Sequence, residues 1–78
     1  MNKKRRKELE NICDGLSSLH DRLQAVADQE QEAYDNMPEN LQGGGLGEQL
    51  EQNVLDLTDA YDYLESVIGL IEDILDTN

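Results

Sequence analysis

Asp56, Asp59 and Asp62 recur at three-residue spacing as an acidic stripe on the face opposite the apolar repeat, and Glu65, Glu72, Asp73 and Asp76 extend it, so carboxylates are the chemically capable side chains in greatest supply. Carboxylates in number can hold a divalent cation, work as acid and base, or present a negatively charged surface. The first role needs a spacing this chain lacks. There is no D-x-[DN]-x-[DN]-G run of a calcium loop and no Glu-x-x-His pair of a di-iron bundle. Cys13 and His20, seven apart, offer the remaining chemistry. Two chains could bring four such ligands together as a Cys₂His₂ site. The plainer reading is a small buried thiol and an imidazole at the edge of a helix seam. As a nucleophile and base they stand about two helical turns apart, too far for the direct hydrogen bond such a pair requires. The sequence thus points to no catalytic residue, metal ligand or cofactor, and to a protein that is not an enzyme. What remains is the acidic surface.

The chain has 78 residues with 6 Lys+Arg against 18 Asp+Glu, a net charge of −12, 37% hydrophobic residues, and Tyr as its only aromatic type. That is one small domain, too small for two helices to enclose a dry substrate pocket. No apolar run approaches the roughly 20 residues of a membrane span, and Met1–Asn11 does not lead into the apolar stretch of a signal peptide. The single Cys fits a reducing compartment, so the expected location is cytoplasmic. The acidity argues against direct binding to nucleic acid. Charge is also unevenly placed: Lys3, Lys4, Arg5, Arg6 and Lys7 are five of the six basic residues, and only Arg22 follows.

Positioning these side chains falls to helices. Leu9, Ile12, Leu16, Leu19, Leu23, Val26, Glu30, Ala33 and Met37 alternate at spacings of three and four, the pattern of a coiled-coil seam. Leu50, Val54, Leu57, Tyr61, Leu64, Ile68, Ile71 and Leu75 repeat the pattern. Between them lie Pro38 and Gly43–Gly45, which disfavour regular backbone. The spacing predicts a first helix over about 5–36, a loop over about 37–46 and a second helix over about 47–76. Each helix would be about 45 Å long, so one domain spanning 1–78 reads as an all-α, antiparallel helix-loop-helix hairpin. The hairpin would set the basic cluster beside Glu72, Asp73 and Asp76 at the negative end of the second helix.

The second helix is too apolar for one partner. Ala60, Val67 and Ile74 form a flank at seven-residue spacing, and Tyr63 and Leu70 a further pair with Leu55 nearby. The expectation is a homodimer closing into a four-helix bundle, with Leu16, Leu19, Leu23, Leu57, Tyr61, Leu64, Val67, Ile68, Ile71 and Ile74 in its core and dimer contacts. Glu30 on the seam either sets register or faces water near the loop. Of the tyrosines, Tyr61 belongs to the core, and Tyr63 is the better interface candidate.

Two readings of the acids stand side by side. They are a solvated face that keeps a small bundle soluble, or a polyanion mimic. Spread along about 45 Å, the 18 acids give about one charge per 2.5 Å, between single-stranded and duplex DNA. Almost no cation sits four residues from an acid to neutralise it.

The segment Glu32-Ala33-Tyr34-Asp35-Asn36-Met37-Pro38-Glu39-Asn40-Leu41-Gln42, followed by Gly47-x-Gln49 and an acidic helix, resembles a group of short, acidic proteins of bacteriophages and Firmicutes prophages. Their central motif reads roughly Glu-x-Ala-(Tyr/Phe)-x-Asn-(Leu/Met)-Pro-Glu-(Ser/Asn)-Leu-Gln, and the likeness covers residues 30–65 best. In that group a Ser-Glu-Arg-Gly stretch commonly follows; here Gly43–Gly47 replaces it. The resemblance implies a phage accessory protein of the bacterial cytoplasm and carries no named activity.

The expectation is therefore a non-enzymatic protein that occludes a basic surface of a host nucleic-acid-handling or defence protein. Asp56, Asp59, Asp62 and Glu65 would stand in for phosphates, and Tyr63 and Leu70 would add apolar contact. The alternative is an assembly adaptor in phage production, binding through the apolar flank of the second helix.

Overall fold

A computed structural model describes residues 1–78. Helix α1 spans Lys3–Asp35, a single turn α2 spans Glu39–Gln42, and α3 spans Gly45–Thr77; no strand forms. The chain is all-α, drawn out to 59 × 14 × 14 Å. Cross-contacts run in opposite directions along the two long helices: Arg6 meets Leu75, His20 meets Tyr61, and Glu30 meets Asn53. The pair is an antiparallel hairpin.

Local chemistry sets the boundaries. Asn2 opens α1, its side-chain oxygen accepting the Arg5 backbone N–H at 2.8 Å. Pro38 closes it: extended backbone at φ −56°, ψ 141° ends the helical path. The same proline starts α2, its carbonyl accepting the N–H groups of Leu41 at 2.8 Å and Gln42 at 3.2 Å. The expected loop thus contains a helical turn, because Pro-Glu-Asn-Leu-Gln is a good helix start as well as a helix stop.

Gln42 fastens this turn to α1. Its side-chain amide donates to the carbonyl of Tyr34 at 3.1 Å, which also accepts the Met37 backbone N–H, and to that of Met37 at 3.2 Å, just past the end of α1. Gly47 then lies against Gln42 so closely that a Cβ would stand 2.1 Å from the Gln42 carbonyl oxygen. The glycine run also differs from expectation. No glycine takes a positive φ, and α3 begins within the run at Gly45. Glycine is required by contact at Gly47, not by conformation at Gly43–Gly45.

The interhelical seam corrects the sequence pattern on one side. On α3 the expected Leu50, Val54, Leu57, Tyr61, Leu64, Ile68, Ile71 and Leu75 all turn inward. On α1, Leu9, Leu16, Leu23 and Glu30 do so too, but Cys13, His20, Ala27 and Tyr34 complete the seam in place of Ile12, Leu19, Val26 and Ala33. Ile12, Leu19 and Val26 are left 42, 47 and 45% exposed. The physical reason is bulk. Cys13 and Ala27 are small and become buried, so α1 can approach α3 more closely through them than through β-branched Ile12 and Val26.

The basic cluster lies beside the end of α3 as expected, but without ion pairs to the acids there. None of Lys3–Lys7 pairs with Glu72, Asp73 or Asp76; the ion pairs are Arg6–Glu10 at 3.5 Å and Lys7–Glu10 at 4.0 Å, inside α1. Arg6 instead donates to the Leu75 carbonyl at 2.8 Å. A cation satisfies the end of α3 through its backbone, where the dipole is negative.

The tight turn yields a paired prediction. Gly47→Ala, forced against the Gln42 backbone, lowers stability by roughly 1–3 kcal/mol. Gly69→Ala, with nothing within 4 Å of its new methyl group, raises it by about 0.5–1 kcal/mol through helix propensity. Urea denaturation followed by circular dichroism measures both; equal effects would contradict the contact.

Candidate interaction surfaces

Because α1 and α3 each bury one stripe against the other, the hairpin has two long open faces. They differ in chemistry. On one, α1 contributes Glu10, Ser17, Gln24 and Gln31 at seven-residue spacing, and α3 contributes Glu51, Thr58, Glu65 and Glu72. Gln31, Tyr34, Glu51, Val54 and Leu55 line a shallow depression of about 230 Å³ at the loop end of this side.

The opposite face is apolar. Leu19, Arg22, Leu23 and Val26 of α1 and Leu64 of α3 line an open groove of about 390 Å³. Val26 also borders the next depression, about 340 Å³, with Glu30, Asn53, Asp56 and Leu57. Seven-residue spacing extends both sides of the groove. Ile12 continues Leu19 and Val26 along α1, and Leu46, Asn53, Ala60, Val67 and Ile74 make one row on α3. Val67, Ile74 and Leu46 are all exposed. Of the ten residues read as core or dimer contacts, Leu16, Leu23, Leu57, Tyr61, Leu64, Ile68 and Ile71 lie in the seam, whereas Leu19, Val67 and Ile74 lie on this open face.

Sequence reading recognised the α3 flank but missed its counterpart on α1, having assigned Ile12, Leu19 and Val26 to the seam. The signal was the alternative stripe Cys13, His20, Ala27 and Tyr34, which also repeats at seven.

The acids form no single stripe. Each three-residue step falls about 60° short of a full turn, so Asp56, Asp59, Asp62 and Glu65 sweep about half the circumference of α3. Asp56 reaches the groove side beside Val26, whereas Glu65 lies on the polar face. All four are exposed. Tyr63 and Leu70, 74 and 65% exposed, stand on the outer surface of α3 beside the apolar flank. Across the whole chain, Glu10 is the only one of 18 acids with a Lys or Arg partner. No three His, Cys, Asp or Glu side chains gather closely enough to hold a metal ion.

Two polar groups enter the seam. Glu30 accepts a hydrogen bond at 3.1 Å from the side-chain amide of Asn53, which itself accepts one from Gln49 at 2.8 Å. Glu30 thereby marks the register of α1 on α3. His20 packs its ring edge-on against Tyr61, 5.6 Å between centroids and 81° between planes, while its Nδ1 lies 3.4 Å from Asp21. Cys13 is buried, and that burial, reinforced by the negative charges of Glu72 and Asp14, raises its thiol pKa above the ordinary value. The thiol packs within the seam.

No protein-family model, curated protein or solved structure matches this chain.

Two measurements check the seam. Cys13 should react with a disulfide reagent at pH 8 much more slowly in the folded protein than in urea, and equal rates would place the thiol outside the core. A double-mutant cycle with Glu30→Ala and Asn53→Ala should give a coupling of about 0.5–1.5 kcal/mol, and strict additivity would mean that the cross-helix bond contributes nothing.

Proposed function

We propose that this chain is a non-enzymatic interaction protein that self-associates through its apolar face into a four-helix bundle and occludes a basic surface of a nucleic-acid-handling protein. The observation that carries the reading is the uncompensated charge: 17 of the 18 acids lack a Lys or Arg partner. A face meant only for solubility gains a few tenths of a kcal/mol from each interleaved cation, and this chain forgoes nearly all of them.

Charge density supports the same reading. Along 59 Å, 18 acids give one charge per about 3.3 Å, close to the spacing in a single nucleic-acid strand. This is sparser than the sequence estimate, because the hairpin is longer than 45 Å. Two copies side by side halve the interval to about 1.6 Å, near that of a duplex. The resemblance to phage and prophage proteins favours a target inside the bacterial host cell, such as a defence nuclease, and a cytoplasmic site of action. No helix is long and apolar enough to cross a membrane. Asp59, Asp62 and Glu65 would meet the target's cations, with Asp56 at the groove edge and Tyr63 and Leu70 adding apolar contact.

Exposed Tyr63 and Leu70 favour a second reading, an assembly adaptor that binds through the outer apolar surface of α3 with the acids as solubilisers. Substitutions separate the two. Asp56→Asn, Asp59→Asn and Asp62→Asn together should weaken binding to a partner captured from bacterial lysate by at least about tenfold, and added DNA should displace that partner. Binding that survives both the triple substitution and high salt, yet is lost in Tyr63→Ala with Leu70→Ala, would overturn the mimic in favour of the adaptor.

A further inference from the structure

The apolar face leaves open how two copies would be arranged, and here charge and spacing point the same way. We infer that the occupant of this face is a second copy of the chain in antiparallel orientation, with Leu19 and Ala60 beside the two-fold axis. The inference rests on the self-association proposed above and adds its geometry.

Area comes first. A long face of 59 × 14 Å spans about 800 Å², the size that each partner contributes to a standard stable interface. Only four of the 78 residues are buried within one hairpin, so the isolated unit has a thin core and gains by covering this face.

Spacing comes second. Helix α1 runs from Lys3 to Asp35, so Leu19 is its midpoint. An antiparallel two-fold there sets Leu19 on its own copy and Ile12 on Val26, each apolar residue of one α1 opposite an apolar residue of the other. Helix α3 runs from Gly45 to Thr77, with its midpoint at Tyr61, next to Ala60 on the open flank. The same operation sets Ala60 on Ala60 and Leu46 on Ile74. Leu46, exposed in the first turn of α3 with no partner in the hairpin, thereby gains one.

Charge comes third. At the open end Lys3, Lys4, Arg5, Arg6 and Lys7 offset the charges of Glu72, Asp73 and Asp76, whereas residues 30–51 around the turn carry six acids and no base. A parallel dimer would bring two uncompensated acidic turns together at one end. The antiparallel dimer levels Lys3–Lys7 of one copy with Gln31–Asp35 of the other, where Glu32 and Asp35 lie.

The test reads assembly and orientation separately. Sedimentation equilibrium of the unaltered chain measures association. A spin label at Asn40→Cys, in a Cys13→Ala background, then reports the distance between the two turns. An antiparallel dimer gives about 50 Å, the rise of the residues on both sides of the axis. A parallel dimer gives less than about 25 Å, a few helix diameters. A dimer with the long distance is the expected result. A dimer with the short distance overturns the orientation while leaving self-association standing, and a chain that stays monomeric at millimolar concentration overturns both.

Zero-length carbodiimide cross-linking of a mixture of ¹⁴N and ¹⁵N unaltered chains provides a check free of substitutions. Mixed-isotope links from Lys3 or Lys4 to Glu32 or Asp35 are expected. Mixed-isotope links confined to Glu72, Asp73 and Asp76 would overturn the antiparallel arrangement.

Discussion

An amphipathic helix can turn one stripe toward one partner, and α1 carries two stripes that share Leu9, Leu16 and Leu23. One is completed by Cys13, His20, Ala27 and Tyr34, the other by Ile12, Leu19 and Val26. The choice between them decides everything built on it. Small residues at Cys13 and Ala27 let the α1 and α3 backbones draw together, and both are buried as a result. The larger aliphatic groups are then held in the open on the side where α3 also keeps Val67 and Ile74. A two-helix unit thereby acquires a sided surface: aliphatic on one long face, amide and carboxylate on the other.

The polar contacts reinforce that choice at three levels along the rod. Arg6 satisfies the last turn of α3 at the open end, Glu30 and Asn53 bond across the seam toward the turn, and Gln42 bonds the Tyr34 carbonyl in the last turn of α1. A slip of α1 along α3 would break the first two, and the third fixes the path by which α1 enters the turn. The apolar contacts alone would not prevent such slippage, since a heptad pattern looks similar after every seven residues. Directional bonds set the register; burial supplies the attraction.

Much of this architecture was legible from the sequence. Two apolar repeats of matched length, separated by Pro38 and a glycine run, specify an all-α hairpin, and every seam position of α3 was readable because its apolar residues outnumber its alternatives. The stripe of α1 was not. Periodicity ranks residues by hydrophobicity, so Ile12, Leu19 and Val26 outweigh Cys13, His20 and Ala27, whereas packing rewards closeness of backbone approach, which hydrophobicity does not encode. Likewise the Pro38–Gln42 segment reads as a helix breaker, and its role as a fastening appears only once the Gln42 amide meets the Tyr34 and Met37 carbonyls in space. The carboxylates were visible as a number and a spacing; that they wind around α3 instead of forming a stripe follows from helical geometry. What the acids and the aliphatic face meet depends on groups outside this chain.

The turn has a kinetic consequence. Gln42 reaches Tyr34 across only eight positions of sequence, whereas Arg6 reaches Leu75 across 69. Closing the short interval costs little chain entropy, and each further pair of opposed residues then extends an existing loop by a small increment. Loop-closure entropy therefore favours starting the hairpin at the Gln42–Gly47 corner and makes the Arg6–Leu75 end, reached across the whole chain, the costliest pairing to form first.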